Sequence, residues 1–200
     1  MIESNKASTP AESGTLLNQE GNDKPVDKTL FRQMIGSLRY ICKTRPDIAY
    51  GVGLVSRFME DPQQSHLVAV KRVMRYLRGT VGHGVLFPFK QNSKNSNEMV
   101  GFSDADWCGD KTDRKSTTRY LFKLGDAPIS WCSKKQDVVA LSSCEAEYIA
   151  ACMCACQAAW MMSLLKELQI QTDDGILLLV DNKSTINLAL ILCLMEEANT

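Results

Sequence analysis

Three acidic words stand well apart in this chain of 200 residues: SDADW at 103–107, CEAEY at 144–148 and VDN at 180–182. Carboxylates carried on separate elements meet only if the fold brings them together. Where they do meet, they supply the hard oxygen ligands that divalent cations such as Mg²⁺ take. A pair of such ions is the arrangement used for hydrolysis of phosphodiesters. The first word ends a strand-like run, the second opens a long helix and the third ends an apolar strand.

Each word offers one preferred acid. Side chains two apart on a strand lean to the same face, so Asp104 follows Val100 and Phe102 along one face of its strand. Asp106 is already entering a loop with Trp107, Cys108 and Gly109, where capping the local backbone is its expected use. Glu145 and Glu147 lie roughly 200° apart around a helix, so only one can face a sheet. Glu147 shares a stripe with the mostly small Ala151, Cys154, Ala158 and Leu165. Glu145 lies nearer the bulkier Ile149, Met153, Trp160 and Leu164. A helix lies closest to a sheet along its small stripe, so Glu147 is expected to point inward. Asp181 alone reads as an N-cap. Taken with Asp104, it stands at the carboxyl end of a strand, where open α/β sheets place their ligands.

Other site chemistries find little support. There is no Gly-rich phosphate loop and no dinucleotide fingerprint. The two histidines, His66 and His83, are far in sequence from the acids and cysteines, so a Ser-His-acid or Cys-His mechanism would have to recruit one from elsewhere in the chain. The N-terminus is polar and lacks the apolar core of a secretory leader. The eight cysteines are therefore not expected to form a disulfide framework, and a cytoplasmic or nuclear location, not secretion, is expected. Cys152, Cys154 and Cys156 alternate within a helical stretch and point to different faces, which suits small buried residues better than one metal site. The most apolar run, 149–162, contains Gln157 and is shorter than the ~20 residues of a spanning helix, so no membrane partner is expected.

Net charge is zero but uneven: residues 31–90 hold ten Lys/Arg against three Asp/Glu, and residues 137–200 hold two against nine. A basic part followed by an acidic part suits nucleic acid on one and metal on the other, and equally suits two solvated surfaces.

The elements that must position these groups follow from periodicity. Residues 1–27 are polar and are expected to be extended or disordered. A helical segment over 28–90 follows. Leu30, Met34, Leu38 and Ile41 form one face of its first helix. Arg45-Pro46-Asp47 breaks the pattern, Ile48, Val52, Val55 and Met59 line a second helix, and a third runs over 65–78 with Leu67, Val70, Met74 and Leu77 as its apolar stripe. Lys71, Arg72, Arg75 and Arg78 line the other side of that helix. Such a row can track phosphates or simply face water. The polar stretch 90–97 marks a boundary. Beyond it, strands are expected over 99–104, 119–124 and 129–133, a long helix over 143–168 with Ser142 or Ser143 as N-cap, a strand over 176–180 and a helix over 182–194. Strands, helix, strand and helix make an α/β domain over 98–195 with a mixed sheet and flanking helices.

The words themselves resemble a known family. FRQMIGSLRY at 31–40, TRPDIAY at 44–50, SRFM at 56–59 and KRVMRYLRGT at 71–80 are similar to the stretch after the polymerase core in Pol polyproteins of copia-type retrotransposons (Pseudoviridae). SDADW, DRKST at 113–117, ISW at 129–131, ALSSCEAEYIA at 140–150 and VDNKS at 180–184 are similar to that family's ribonuclease H domain. The resemblance covers about residues 28–190. It implies a ribonuclease H-like fold behind a small helical remnant of the polymerase thumb or connection region. It also implies Mg²⁺-dependent cleavage of RNA in RNA–DNA hybrids, and the remainder of a Pol polyprotein as partner. By motif, Asp104, Glu147 and Asp181 match the metal-binding acids, and Arg114, Lys115 and Ser116 lie in a loop that either meets phosphates or is plain polar surface. Three departures stand out. No fourth acid matches the family's last segment, so a truncated domain with weak or no cleavage is expected, or else a non-catalytic nucleic-acid-binding fragment. The chain lacks the Tyr-x-Asp-Asp word of a polymerase site. Arg119 stands where the family usually has a small residue, and reads as a surface change.

Overall fold

The computed structural model describes residues 4–12, 17, 23–88, 98–170 and 175–197, the last seven of these in backbone only. The chain divides into two compact units, Met1–Val85 and Leu86–Thr200. The polar stretch 90–97 lies outside the described residues.

The first unit is helical: α1 (Lys28–Ile41), α2 (Ala49–Val55) and α3 (Gln64–Gly79), with short 3₁₀ turns at Pro46–Ile48 and Ser56–Phe58 flanking α2. Asp27 caps α1, its carboxylate accepting from the N–H groups of Thr29 and Leu30. The buried face of α1 is Phe31, Ile35 and Leu38, while Leu30 is exposed and Met34 and Ile41 are half-buried. The expected stripe is thus rotated by one position, because the bulky Phe31 and Ile35 share Leu38 with it at helical spacing and take the interior. Phe58, not Met59, is buried after α2. In α3 the interior takes His66, Val70 and Val73, with Leu67, Met74 and Leu77 packed partly against the core. His66 is fully buried, stacks on Phe58 at 3.8 Å and accepts the Gln63 N–H through Nδ1. His66 thus serves as a cap and a core residue of the helical unit.

Within the expected disordered stretch 1–27, the described residues are partly engaged. Pro25 bridges Gln63, and the Val26 N–H donates to the Pro62 carbonyl. The TRPDIAY word builds a polar knot. Arg45, only 7% exposed, binds Asp47 through two nitrogens at 2.9 and 2.7 Å and reaches the carbonyl and hydroxyl of Thr80 at 3.0 and 2.7 Å. The Tyr76 hydroxyl donates to the same carboxylate at 2.8 Å.

The second unit is α/β. Strands β1 (Met99–Ala105), β2 (Thr117–Leu124) and β3 (Ala127–Lys135) are antiparallel, and β4 (Leu177–Val180) returns parallel to β1, giving the order β3-β2-β1-β4. Helix α4 (Ser143–Glu167) crosses between β3 and β4, and α5 (Lys183–Glu197) follows β4. Strand alternation separates two faces. Met99 and Phe122 join Cys154, Ala158, Met161 and Leu165 of α4 in the core, whereas Phe102, Asp104, Leu177 and Leu179 are exposed. By length and composition α4 is the one described helix able to cross a membrane. It exceeds the apolar run read from the sequence because it extends through Glu147 and Lys166. Its buried stripe lies on the sheet.

Side chains of β2 and β4 pack closely over β1 because Gly101 has no side chain. A Cβ there would stand 2.6 Å from both Leu178 Cδ2 and Phe122 Cε1. Leu178 can turn away, but the fully buried Phe122 ring cannot. Gly101→Ala is expected to destabilise this unit by about 1–3 kcal/mol. All three tryptophans, Trp107, Trp131 and Trp160, lie in this unit, so urea unfolding followed by tryptophan fluorescence reports it directly. The midpoint should fall at constant slope; an unchanged midpoint would mean the contact relaxes freely.

Candidate functional site

The site begins at the first turns of α4. Ser142 caps the helix by accepting the Glu145 N–H, and Glu145 reaches back to accept the Leu141 N–H at 2.6 Å. Glu145 is therefore committed to the helix start. Two residues on, Glu147 points into the unit at 7% exposure. Its Oε1 accepts the Ala105 N–H at 3.1 Å, and its Oε2 is buried with no hydrogen-bond partner. Burial pushes the Glu147 carboxyl above its usual range. The Ala105 N–H opposes that rise, the negative charges of Asp104 and Asp181 add to it, and the Arg119 cation works against it. Glu147 thus lies within electrostatic reach of both other sequence-matched acids.

Asp104, half exposed, ends β1 directly opposite Arg119 on β2, and its Oδ2 lies 2.9 Å from the guanidinium. This adds to the sequence expectation of a surface change at Arg119. Its side chain, 39% exposed, lies at the surface and is paired there with the first acid. Asp181 follows β4 and is exposed. The cap of α5 is Asn182, whose Oδ1 accepts from the N–H groups of Ser184 and Thr185. Asp181 is therefore not used as the cap that it resembles in isolation. Thr185, buried, donates to the Cys144 carbonyl and ties α5 to the start of α4.

Asp106 is structural. It accepts the Thr117 N–H at 2.5 Å and so closes the neck of the loop between β1 and β2. Inside that loop Lys135 holds Asp110 and Asp113 at 2.5 and 2.7 Å. Of the three loop residues matched by motif, Arg114 is exposed with φ of 60°, and Lys115 is half-buried. Ser116 is fully buried and accepts the Cys108 N–H, so it holds the loop from within. On α3, in the other unit, Lys71 is exposed and Arg75 half-buried. Arg72 donates to the carbonyl and hydroxyl of Thr9 and lies 3.6 Å from Glu12, and Arg78 donates to the Ser4 carbonyl. The basic row is partly covered by the chain's own residues 4–12.

Among the described residues no group of three or more His, Cys, Asp or Glu stands ready to hold a metal. The alternating cysteines diverge around the helix, but of the three expected as small buried residues only Cys154 is buried, its thiol pushed up to about 11 by burial, while Cys152 and Cys156 lie on the exposed side of α4. Two polar residues escaped sequence reasoning. Arg119 needed the β1–β2 register to be found. Gln136, buried, donates to the Thr118 hydroxyl and the Ala146 carbonyl and so locks α4 to the sheet beside Glu147. No motif signals it.

The chain is 41% identical over 182 residues to the retrovirus-related Pol polyprotein from transposon RE1 of Arabidopsis thaliana, a match covering 91% of this chain and 12% of that protein. It is 41% identical over 177 residues to the corresponding polyprotein from transposon TNT 1-94 of Nicotiana tabacum, covering 88% of this chain and 13% of that protein. It is also 46% identical over 132 residues to the secreted RxLR effector protein 161 of Plasmopara viticola, covering 66% of this chain and 90% of that protein. No protein-family model and no solved structure matches. The chain belongs to the family of copia-type retrotransposon Pol polyproteins. It spans only 12–13% of the length of those relatives.

Proposed function

We propose that the second unit is the ribonuclease H-like part of a Pol polyprotein, in which Asp104, Glu147 and Asp181 bind Mg²⁺ for cleavage of the RNA strand of an RNA–DNA hybrid. One observation carries this reading: a buried glutamate with an unpartnered oxygen, its carboxyl raised in part by two further carboxylates at strand ends. A chain gains no stability from such a group, because a buried unpaired oxygen costs about 1–3 kcal/mol. A hard divalent cation accepts this donor set of carboxylate oxygens. Bound there, two such ions would supply activation of a water and charge neutralisation at the leaving oxygen. The chain's own part is to hold Glu147 rigid through the Ala105 N–H and to set Asp104 and Asp181 at the ends of neighbouring parallel strands. Arg114 and Lys115 at the β1–β2 loop, and Lys71, Arg72, Arg75 and Arg78 on α3, are the candidates for phosphate contacts.

Three carboxylates, one of them already paired with an arginine, make a weak site. Slow cleavage that needs millimolar Mg²⁺ is expected. RNA release from a hybrid, measured with and without Mg²⁺, should fall to background in Asp104→Asn. Release unaffected by that substitution would remove the acids from the chemistry. Hybrid binding that survives Asp104→Asn and weakens steeply with salt would instead mark backbone binding by the basic residues.

A further inference from the structure

We infer that Arg119 is a built-in counter-ion for the acidic cluster, occupying the place of positive charge that a divalent cation must take, and so sets how tightly this chain binds metal. The inference rests on the metal reading above and deepens it. Asp104 and Arg119 are direct cross-strand partners in β1 and β2, with the guanidinium 2.9 Å from Oδ2. Opposite charges directly across a strand pair attract, and the register of the β1–β2 ladder places Arg119 across from Asp104. The same cation acts on Glu147, which is itself influenced by Asp104 and Asp181. One positive charge therefore acts on both Asp104 and Glu147.

The consequence is a competition. A divalent ion must either displace the guanidinium from Asp104 or bind beside it. Displacement breaks a charge-assisted pair. Binding beside it places two positive charges against one at contact range, where even water-like screening leaves a penalty worth about tenfold or more in affinity. In both cases a neutral residue at 119 should tighten metal binding, and a cationic one should not.

The test uses the full chain and Mn²⁺ as a spectroscopic stand-in for Mg²⁺. Free Mn²⁺ is read by electron paramagnetic resonance, and the metal-induced rise in melting temperature gives a second readout. Arg119→Gln keeps the aliphatic stem and should fold like the parent; native far-UV circular dichroism verifies this. It is expected to bind Mn²⁺ about tenfold or more tightly than the parent, while Arg119→Lys stays near the parent. The gain should vanish when Asp104→Asn is added. If the parent and Arg119→Gln bind Mn²⁺ equally, the counter-ion role is wrong while the metal site stands. If Arg119→Lys gains as much as Arg119→Gln, charge is not the cause and the inference also fails. If neither parent nor variant binds, the metal reading and this inference fall together.

Discussion

Replacing Glu147 with glutamine is expected to stabilise the second unit in the absence of metal, by about 1 kcal/mol or more, and to abolish the stabilisation that a divalent cation gives. The first half follows from the buried carboxylate. Oε1 is satisfied by the Ala105 N–H, and Oε2 is not satisfied at all. Glutamine keeps an acceptor for Ala105 and puts an amide donor where the orphan oxygen was, among the carboxylates that influence it. It also removes a negative charge from a place that burial and two neighbouring acids make unfavourable. In a unit of this size the gain corresponds to a melting rise of about 4 °C.

The pH dependence fixes the sign independently. The folded carboxyl of Glu147 is raised above its ordinary value, so the folded state holds the proton over a window where the unfolded chain has lost it. Stability therefore falls as pH rises from the ordinary glutamate range through the folded-state value. Glu147→Gln should remove that slope and show its largest advantage at neutral pH. With Mg²⁺ the order reverses in kind: the parent gains stability by mass action and the variant does not. A variant less stable than the parent without metal, or equally responsive to Mg²⁺, would show that Glu147 is held by contacts other than those seen.

Why some of this was legible beforehand is a matter of range. The small stripe of α4 and the serines at its start are local patterns, and they predict that Glu147 faces inward and that Ser142 or Ser143 caps; the structure uses Ser142. The strands at 99–105 and 177–180 are local too, since alternation or an apolar run between turn residues suffices. The Asp104–Arg119 pair is different in kind. It depends on which residue of β2 lies opposite Asp104, and register is set by hairpin geometry and burial that a single sequence leaves open. The engagement of Arg72 and Arg78 by residues 4–12 joins positions more than sixty apart and carries no periodic signal. Leu30 and Phe31 show a third cause. Two overlapping stripes share Leu38, and side-chain volume chooses between them only once the neighbours are in place.

Arg45→Ala is expected to be the most damaging charge substitution in the helical unit, costing about 2–4 kcal/mol. The side chain is almost fully enclosed and makes four hydrogen bonds, two to the Asp47 carboxylate and two to Thr80 at the end of α3. Truncation leaves Asp47 with a reduced set of donors and the end of α3 untied from the turn that opens α2. Arg45→Lys should rescue little, because a lysine ammonium cannot reproduce the planar fork that grips both carboxylate oxygens. The hydrogen bonds from Arg45 hold the Asp47 carboxyl below its usual range. The resulting stability is fully present above the ordinary carboxylate range and is lost as pH falls through the depressed folded value. Arg45→Ala should therefore narrow the gap to the parent on the acid side and widen it near neutrality. Tryptophan is absent from this unit, so amide hydrogen exchange in α1 and α3 is the measurement. Protection should drop at pH 7 by about two orders of magnitude. Unchanged protection would mean that the apolar core of Phe31, Ile35, Val52 and Val70 holds the helices without the polar knot.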